Sequence, residues 1–114
     1  MAGKFELKRS PGGKFMFNLK AANGEVILTS ELYDSKSAAE NGIASVQKNA
    51  GDEARYERKQ SSSSQPYFVL KAANHQVIGT SAMYSGPAAM EKGVESVKAN
   101  GPAAAIDDIT GQTS

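Results

Sequence analysis

Residues 17–49 of the chain are written a second time at 68–100, at a constant offset of 51 (68 − 17). Phe17-Asn18-Leu19-Lys20-Ala21-Ala22-Asn23 returns without a gap as Phe68-Val69-Leu70-Lys71-Ala72-Ala73-Asn74. In the same register Val26-Ile27 returns as Val77-Ile78, Thr29-Ser30 as Thr80-Ser81, Tyr33 as Tyr84 and Ser45-Val46 as Ser96-Val97. The match reaches back to Lys4-Phe5-Glu6, which meets Arg55-Tyr56-Glu57. An internal repeat constrains the fold before any single residue does, because each copy must build the same unit. A unit of roughly 50 residues is marginal alone, since too much of its surface stays exposed. The two copies, 3–53 and 54–109, are therefore expected to share one core in a single domain over residues 1–114.

Within each copy the apolar period changes from two to 3.6. Lys4 to Lys8 alternates polar and apolar, the pattern of a half-buried strand. Pro11-Gly12-Gly13 signals a turn, and Lys14 to Lys20 alternates again with Phe15, Phe17 and Leu19 on one side. Ala22-Asn23-Gly24 then leads into a third strand, Glu25 to Thr29. A two-residue turn would set Leu19 opposite Leu28, whereas a three-residue turn ending in a left-handed Gly24 would set it opposite Ile27. Leu28 becomes Gly79 in the second copy while Ile27 recurs as Ile78, so the three-residue turn is preferred, with Ile27 and Ile78 inward. His75 replaces Gly24 and is expected to take its positive φ, which His tolerates better than most residues.

A helix follows. Pro87 suits a first helical position, which makes Ser35 and Gly86 the N-caps. Ala39, Gly42, Ile43 and Val46 form one apolar stripe, repeated as Met90, Gly93, Val94 and Val97. A mid-helix glycine costs about 1 kcal/mol relative to alanine, so its recurrence implies close backbone packing against the sheet or the other helix. The chain extends again as Arg55 to Lys59 and as Ala105 to Ile109. Residues 60–65, carrying Ser61-Ser62-Ser63-Ser64, read as a flexible connector, and 110–114 as a frayed tail. The order βββαβ then ββαβ, with strand 55–59 serving both halves, gives an α+β domain with an antiparallel sheet.

Composition closes off several function classes. The formal charge of +1 supplies no broad basic footprint for nucleic acid or anionic membrane. No cysteine is present, which excludes disulfides, thiol catalysis and thiolate metal sites. The N-terminal residues lack the apolar stretch of a signal peptide, and no run approaches a membrane span. A soluble cytoplasmic protein without a cofactor is expected, monomeric through its internal pseudo-twofold symmetry.

The pattern Leu19-Lys20-Ala21-Ala22-Asn23-Gly24-Glu25-Val26-Ile27, then Thr29-Ser30-Glu31-Leu32-Tyr33, then Glu40-Asn41-Gly42-Ile43-Ala44-Ser45-Val46 resembles the YegP-like family of uncharacterised bacterial proteins. The resemblance covers nearly the whole chain and both repeats. It implies tandem β3-α-β motifs in a single antiparallel sheet, two helices on one face, and C-terminal strands exchanged between the halves. It also implies that single-repeat relatives make the same unit as a homodimer. The family carries no established activity, so no catalytic residue is transferred. The second copy departs from the pattern at His75, Gly79, Ala82 and Gly86, and Ala82 removes the carboxylate of Glu31.

Two regions remain as candidate sites. Thr29, Ser30, Glu31 and Tyr33, with Thr80, Ser81 and Tyr84, concentrate hydroxyls, a carboxylate and phenols between strand and helix, where a small polar ligand could bind. The competing reading is structural: the hydroxyls satisfy backbone groups at the strand end and the tyrosines pack under the helix. The second region is the sheet face opposite the helices. Lys4, Lys8, Lys14, Lys20, Arg55, Lys59, Tyr67 and Lys71 fall there, a basic face that could take nucleic acid or an acidic partner. Only Tyr67 could stack on a base, and Glu6, Glu25 and Glu57 dilute the charge. His75 has no neighbouring ligand set, Asp107 and Asp108 point to opposite faces of a strand, and Pro11-Gly12-Gly13-Lys14 lacks the spacing of a phosphate loop. No catalytic or metal-binding constellation emerges. A non-enzymatic interaction or binding module leads, with the basic sheet face as the alternative.

Overall fold

The computed structural model describes residues 3–110. Each copy contributes three strands and a helix: β1 (Lys4–Arg9), β2 (Phe15–Lys20), β3 (Val26–Thr29) and α1 (Lys36–Asn49), then β4 (Tyr56–Gln60), β5 (Pro66–Lys71), β6 (Val77–Thr80) and α2 (Pro87–Asn100). A last strand, β7 (Ala105–Asp108), follows α2. All seven strands form one sheet in the order β4-β5-β6-β3-β2-β1-β7. The order is a palindrome about the β6–β3 contact, with β7 added at one end.

The exchange of strands implied by the resemblance is present. β4 leaves α1 of the first copy yet pairs with β5 of the second, and β7 leaves α2 of the second copy yet pairs with β1 of the first. One detail differs from a purely antiparallel sheet: β7 lies parallel to β1, with Lys4 opposite Ala105 and Leu7 opposite Asp108. Directions alternate from β6 through β3 and β2 to β1, so β7, which runs opposite to the β6 strand that precedes its helix, lies parallel to β1. Strand 55–59 does count for both repeats by sequence, so the slot beside β4 that corresponds to β7 beside β1 has no strand of its own among the described residues.

The helices form where the stripe and caps require. Ser35 Oγ accepts the Ala38 N–H at the start of α1, and Pro87 opens α2 behind Gly86. Both stripes are buried, as are Phe5, Phe17, Leu19, Tyr56, Phe68 and Leu70 on the sheet face beneath them. The aromatic geometry repeats as the sequence does: Phe5 meets Phe17 edge-on at 5.8 Å, and Tyr56 meets Phe68 edge-on at 5.7 Å.

The turns combine two features that the sequence pattern presents as alternatives. Gly24 N–H donates to Ala21 C=O, Ala21 N–H to Glu25 C=O, and Gly24 has φ +85°, which is the expected three-residue turn. His75 repeats it at φ +71°. The expected facing of Leu19 and Ile27 does not follow, however, because a second bulge shifts the register. Lys20 stays opposite Val26 while Leu19 faces Leu28, which leaves Ile27 as the extra residue. Both Ile27 and Leu28 are buried. The segment 60–65 is likewise a hairpin of the same kind: Gln60 ends β4, Ser64 N–H donates to Ser61 C=O, and Ser64 has φ +64°. Of the tail 110–114 only Thr110 is among the described residues, where it donates twice to Asp108 Oδ1.

At the centre of the palindrome equivalent residues meet each other. Thr29 pairs with Thr80, its own repeat counterpart. Leu28 lies against its counterpart Gly79: a Cβ on Gly79 would stand 2.7 Å from Leu28 Cδ2. Ala50 lies against its counterpart Gly101 in the same way, with 2.7 Å between an added Cβ and Ala50 Cβ. Neither glycine has a positive φ, so space and not backbone freedom requires them. Gly79→Leu should destabilise by at least the roughly 1–3 kcal/mol of an overpacked core. Leu28→Gly should cost roughly 2–5 kcal/mol, the range for emptying a buried leucine site. The double exchange should recover most of the loss in denaturant midpoints; additive losses would show that the two positions do not compete for one volume.

Candidate functional site

The strand-to-helix segment divides its candidate residues among three places. Ser30 and Ser81 are buried and serve the backbone. Ser30 Oγ accepts the Phe17 N–H at 2.9 Å and donates to Glu31 C=O, and Ser81 does the same between Phe68 and Ala82. Each thereby satisfies a strand donor just past the end of the neighbouring strand, at Thr29 or Thr80. Thr29 and Thr80 pair across the seam. Thr29 Oγ1 also accepts from Asn18 Nδ2, on the sheet face away from the helices. Glu31, Tyr33 and Tyr84 are left, and they line open clefts.

The tyrosines are positioned by ring stacking and by glycine. Tyr33 lies parallel to Phe17 with centroids 6.3 Å apart, and Tyr84 repeats the arrangement on Phe68. Each phenol runs beneath the mid-helix glycine of its own copy: a Cβ on Gly42 would lie 2.5 Å from Tyr33 Oη, and one on Gly93 would lie 2.2 Å from Tyr84 Oη. The recurrent glycines therefore make room for a tyrosine first, and for Phe17 or Phe68 of the sheet behind it. Tyr33 is fixed further by a two-way backbone bridge to Phe15. Tyr84 keeps only one of those two bonds, because Pro66 stands at the position of Phe15 and has no N–H to give.

Two clefts of similar size open over these tyrosines, of about 610 and 630 Å³. The first is walled by Ala21, Asn23, Glu25, Val26 and Ile27 of one copy and by Ala82, Met83, Tyr84, Ala89, Lys92, Gly93 and Ser96 of the other. The second is lined by the repeat counterparts of all twelve, with the copies interchanged. Each cleft thus belongs to both halves and exists only where they join. The composition differs within this common shape. Tyr84 shares its cleft with Glu25, Lys92 and Met83; Tyr33 shares its own with Glu31, Asn41, Gln76 and Leu32. Among the described residues the exposed large hydrophobics are Val26, Leu32, Met83 and Ile106, and the first three rim the clefts. Burial raises the pKa of both phenols, with a further push from Glu31 on Tyr33 and from Glu25 on Tyr84. A carboxylate therefore stands near the phenol in each cleft, supplied from a different wall.

The sheet face away from the helices carries interleaved charges instead of a basic field. Glu6 pairs with Lys20 at 3.1 Å and with Lys8 at 3.9 Å, Asp107 with Lys4 at 3.3 Å, and Glu57 with Lys71. Lys14 is held by Asp34, and Arg55 lies 3.5 Å from Asp52. Lys59 and Tyr67 face each other across β4 and β5. Asp107 and Asp108 go to separate lysines, Lys4 and Lys36. His75 sits exposed in its turn. Among the described residues no three His, Cys, Asp or Glu side chains gather as a metal site would require, and no helix is long and apolar enough to cross a membrane.

The clearest electrostatic feature lies elsewhere and was not legible as a motif. Arg58 takes the place of the buried Leu7 in the second copy. Its guanidinium grips Glu91 of α2 at 2.6 and 2.9 Å and Glu53 at 2.6 Å. Lys98 binds Glu53 as well. An inward-pointing charge of this kind suits an edge strand, where it discourages further pairing.

Comparison with known proteins follows the repeat. The family described as Domain of unknown function (DUF1508) matches the chain twice, over residues 11–57 and 61–108. A UPF0339 protein of Acinetobacter baylyi is 58% identical over 97% of this chain and 100% of its own length. UPF0339 protein YegP of Escherichia coli K12 is 56% identical over 96% of this chain and all of its own. The solution NMR structure of the E. coli protein of unknown function yegP superposes with a TM-score of 0.93, at 56% identity, covering 99% of this chain and 97% of that one. That of a UPF0339 protein from Shewanella oneidensis gives 0.92 at 55% identity, over 98% and 95%.

The Arg58 cluster has a testable pH signature. The hydrogen bonds from Arg58 and then Lys98 lower Glu53 from 4.5 to about 2, and Arg58 lowers Glu91. A carboxyl more acidic in the folded state stabilises the fold fully above its unfolded pKa, and the contribution fades as pH falls toward the folded value. Arg58→Leu, which restores the residue of the first copy, should therefore flatten the loss of stability between pH 4.5 and about 2. Denaturant midpoints across that range would report it; parallel pH slopes for the two chains would refute the assignment.

Proposed function

The chain belongs to the DUF1508 family, and we propose that it is a non-enzymatic binding module that takes its ligands in the paired clefts between its two halves. The single observation that carries this reading is the concentration of exposed apolar side chains at those clefts. Val26 and Met83 rim one and Leu32 the other, above floors that offer a phenol oxygen and a carboxylate. An apolar wall with a few convergent polar groups is the usual composition of a ligand site. A monomer in the cytoplasm, with its two halves standing in for two subunits, is the setting we assign to it.

The buried serines and the single histidine have structural duties. The hydroxyls of Ser30 and Ser81 are spent on backbone groups. His75 occupies a left-handed turn position. Lys4, Lys20 and Lys71 of the outer sheet face stand beside acidic partners, which favours the clefts over that face as the place of recognition.

A panel of small aliphatic alcohols, amines, carboxylates and amino acids, titrated into labelled protein and followed by amide NMR shifts, would test the assignment. Saturable shifts are expected at Glu31–Tyr33 with Asn74–Ile78, and at Asn23–Ile27 with Ala82–Tyr84. Asn41→Trp should block the first set and Lys92→Trp the second, since both positions are exposed on the helices. Shifts confined to the outer sheet face, or none in either cleft, would overturn the reading.

A further inference from the structure

The two clefts are an internal comparison: one shape, two charge patterns. Among the ionisable groups that line them, the Tyr84 cleft holds Glu25 and Lys92, and the Tyr33 cleft holds Glu31 with no lysine or arginine. The repeat does not force either carboxylate. Glu31 has Ala82 as its counterpart and Glu25 has Gln76. Each cleft has one acid beside its phenol from a different position, and only one of them also has a cation.

We propose that the Tyr33 cleft takes an aliphatic primary ammonium ligand, a reading that rests on the clefts being binding sites. An ammonium group carries three donors and no acceptor. The Tyr33 cleft answers with the Glu31 carboxylate, the Tyr33 hydroxyl and the amide oxygens of Asn41 and Gln76. The hydrocarbon stem lies along Leu32, Val77 and Ile78, exposed, half-buried and buried in turn. An anion would meet Glu31 unopposed, and a neutral alkyl ligand would gain no charge attraction from the exposed carboxylate. The proximity of Glu31 is visible in Tyr33 itself, whose acidity is reduced by burial and then by that carboxylate. In the Tyr84 cleft, Lys92 stands where Asn41 stands in the other and supplies a positive charge from the protein.

Pentylamine, pentanol and pentanoate are matched probes that differ only in the end group. In amide NMR titrations of the whole chain at neutral pH, pentylamine should shift Glu31–Tyr33 and Asn74–Ile78 saturably. It should bind about tenfold more tightly than pentanol, the order expected of one partly screened charge pair. Glu31→Gln and Asn41→Lys should each bring pentylamine down to the level of pentanol, while their undisturbed spectra elsewhere report intact folding. If pentanol or pentanoate binds this cleft as well as pentylamine does, or if Glu31→Gln changes nothing, the ammonium assignment fails while the clefts remain binding sites. If none of the three probes moves either cleft, the cleft reading fails and takes this inference with it.

Discussion

Two copies of one sequence cannot both fill the axis that relates them, and this exclusion organises the molecule. Leu28 and Gly79 hold equivalent positions and touch each other, as do Ala50 and Gly101. In each pair the first copy supplies the side chain and the second supplies the vacancy. With that conflict removed, Thr29 and Thr80 can join β3 to β6, the sheet runs unbroken across the seam, and one apolar core extends beneath both helices. A symmetric pair of leucines at this point would push the halves apart; a symmetric pair of glycines would leave a void.

The features legible in the sequence were those decided by local periodicity and turn or cap residues. The helical stripes, the caps, the alternating strands and the left-handed turn at Gly24 and His75 all depend on near neighbours. What the sequence concealed depends on the exact geometry of packing and register, within a copy as well as between copies. The bulge that moves Leu28 opposite Leu19 comes from a register adjustment beyond the turn itself. The parallel seating of β7 on β1 joins residues a hundred positions apart, such as Lys4 and Ala105. Gly42 and Gly93 read as general close packing, and their specific neighbours are Tyr33 and Tyr84.

Differences between the copies therefore have two origins. Leu28 against Gly79 looks like drift when the copies are aligned, yet it is a packing requirement at the axis. Glu31 against Ala82, Glu25 against Gln76 and Asn41 against Lys92 lie away from the axis, on the walls of the clefts. Those substitutions change the charge of clefts that remain similar in volume. Architecture fixes the cavities in pairs, and side chains that the core does not need give each member of the pair its own chemistry.

The strand that closes the sheet has a mechanical consequence. β1 and β7 lie side by side and point the same way, with Lys4 beside Ala105 and Leu7 beside Asp108. The chain enters β1 at the end where β7 begins, and it leaves β7 at the far end. Tension applied between the two ends of the polypeptide thus draws these strands past each other lengthwise. The load falls on their hydrogen bonds together, and on the Lys4–Asp107 and Lys36–Asp108 ion pairs that flank them. A hairpin pulled at its open end gives way one bond after another, whereas this junction has to fail as a unit, and both halves of the protein stay folded until it does.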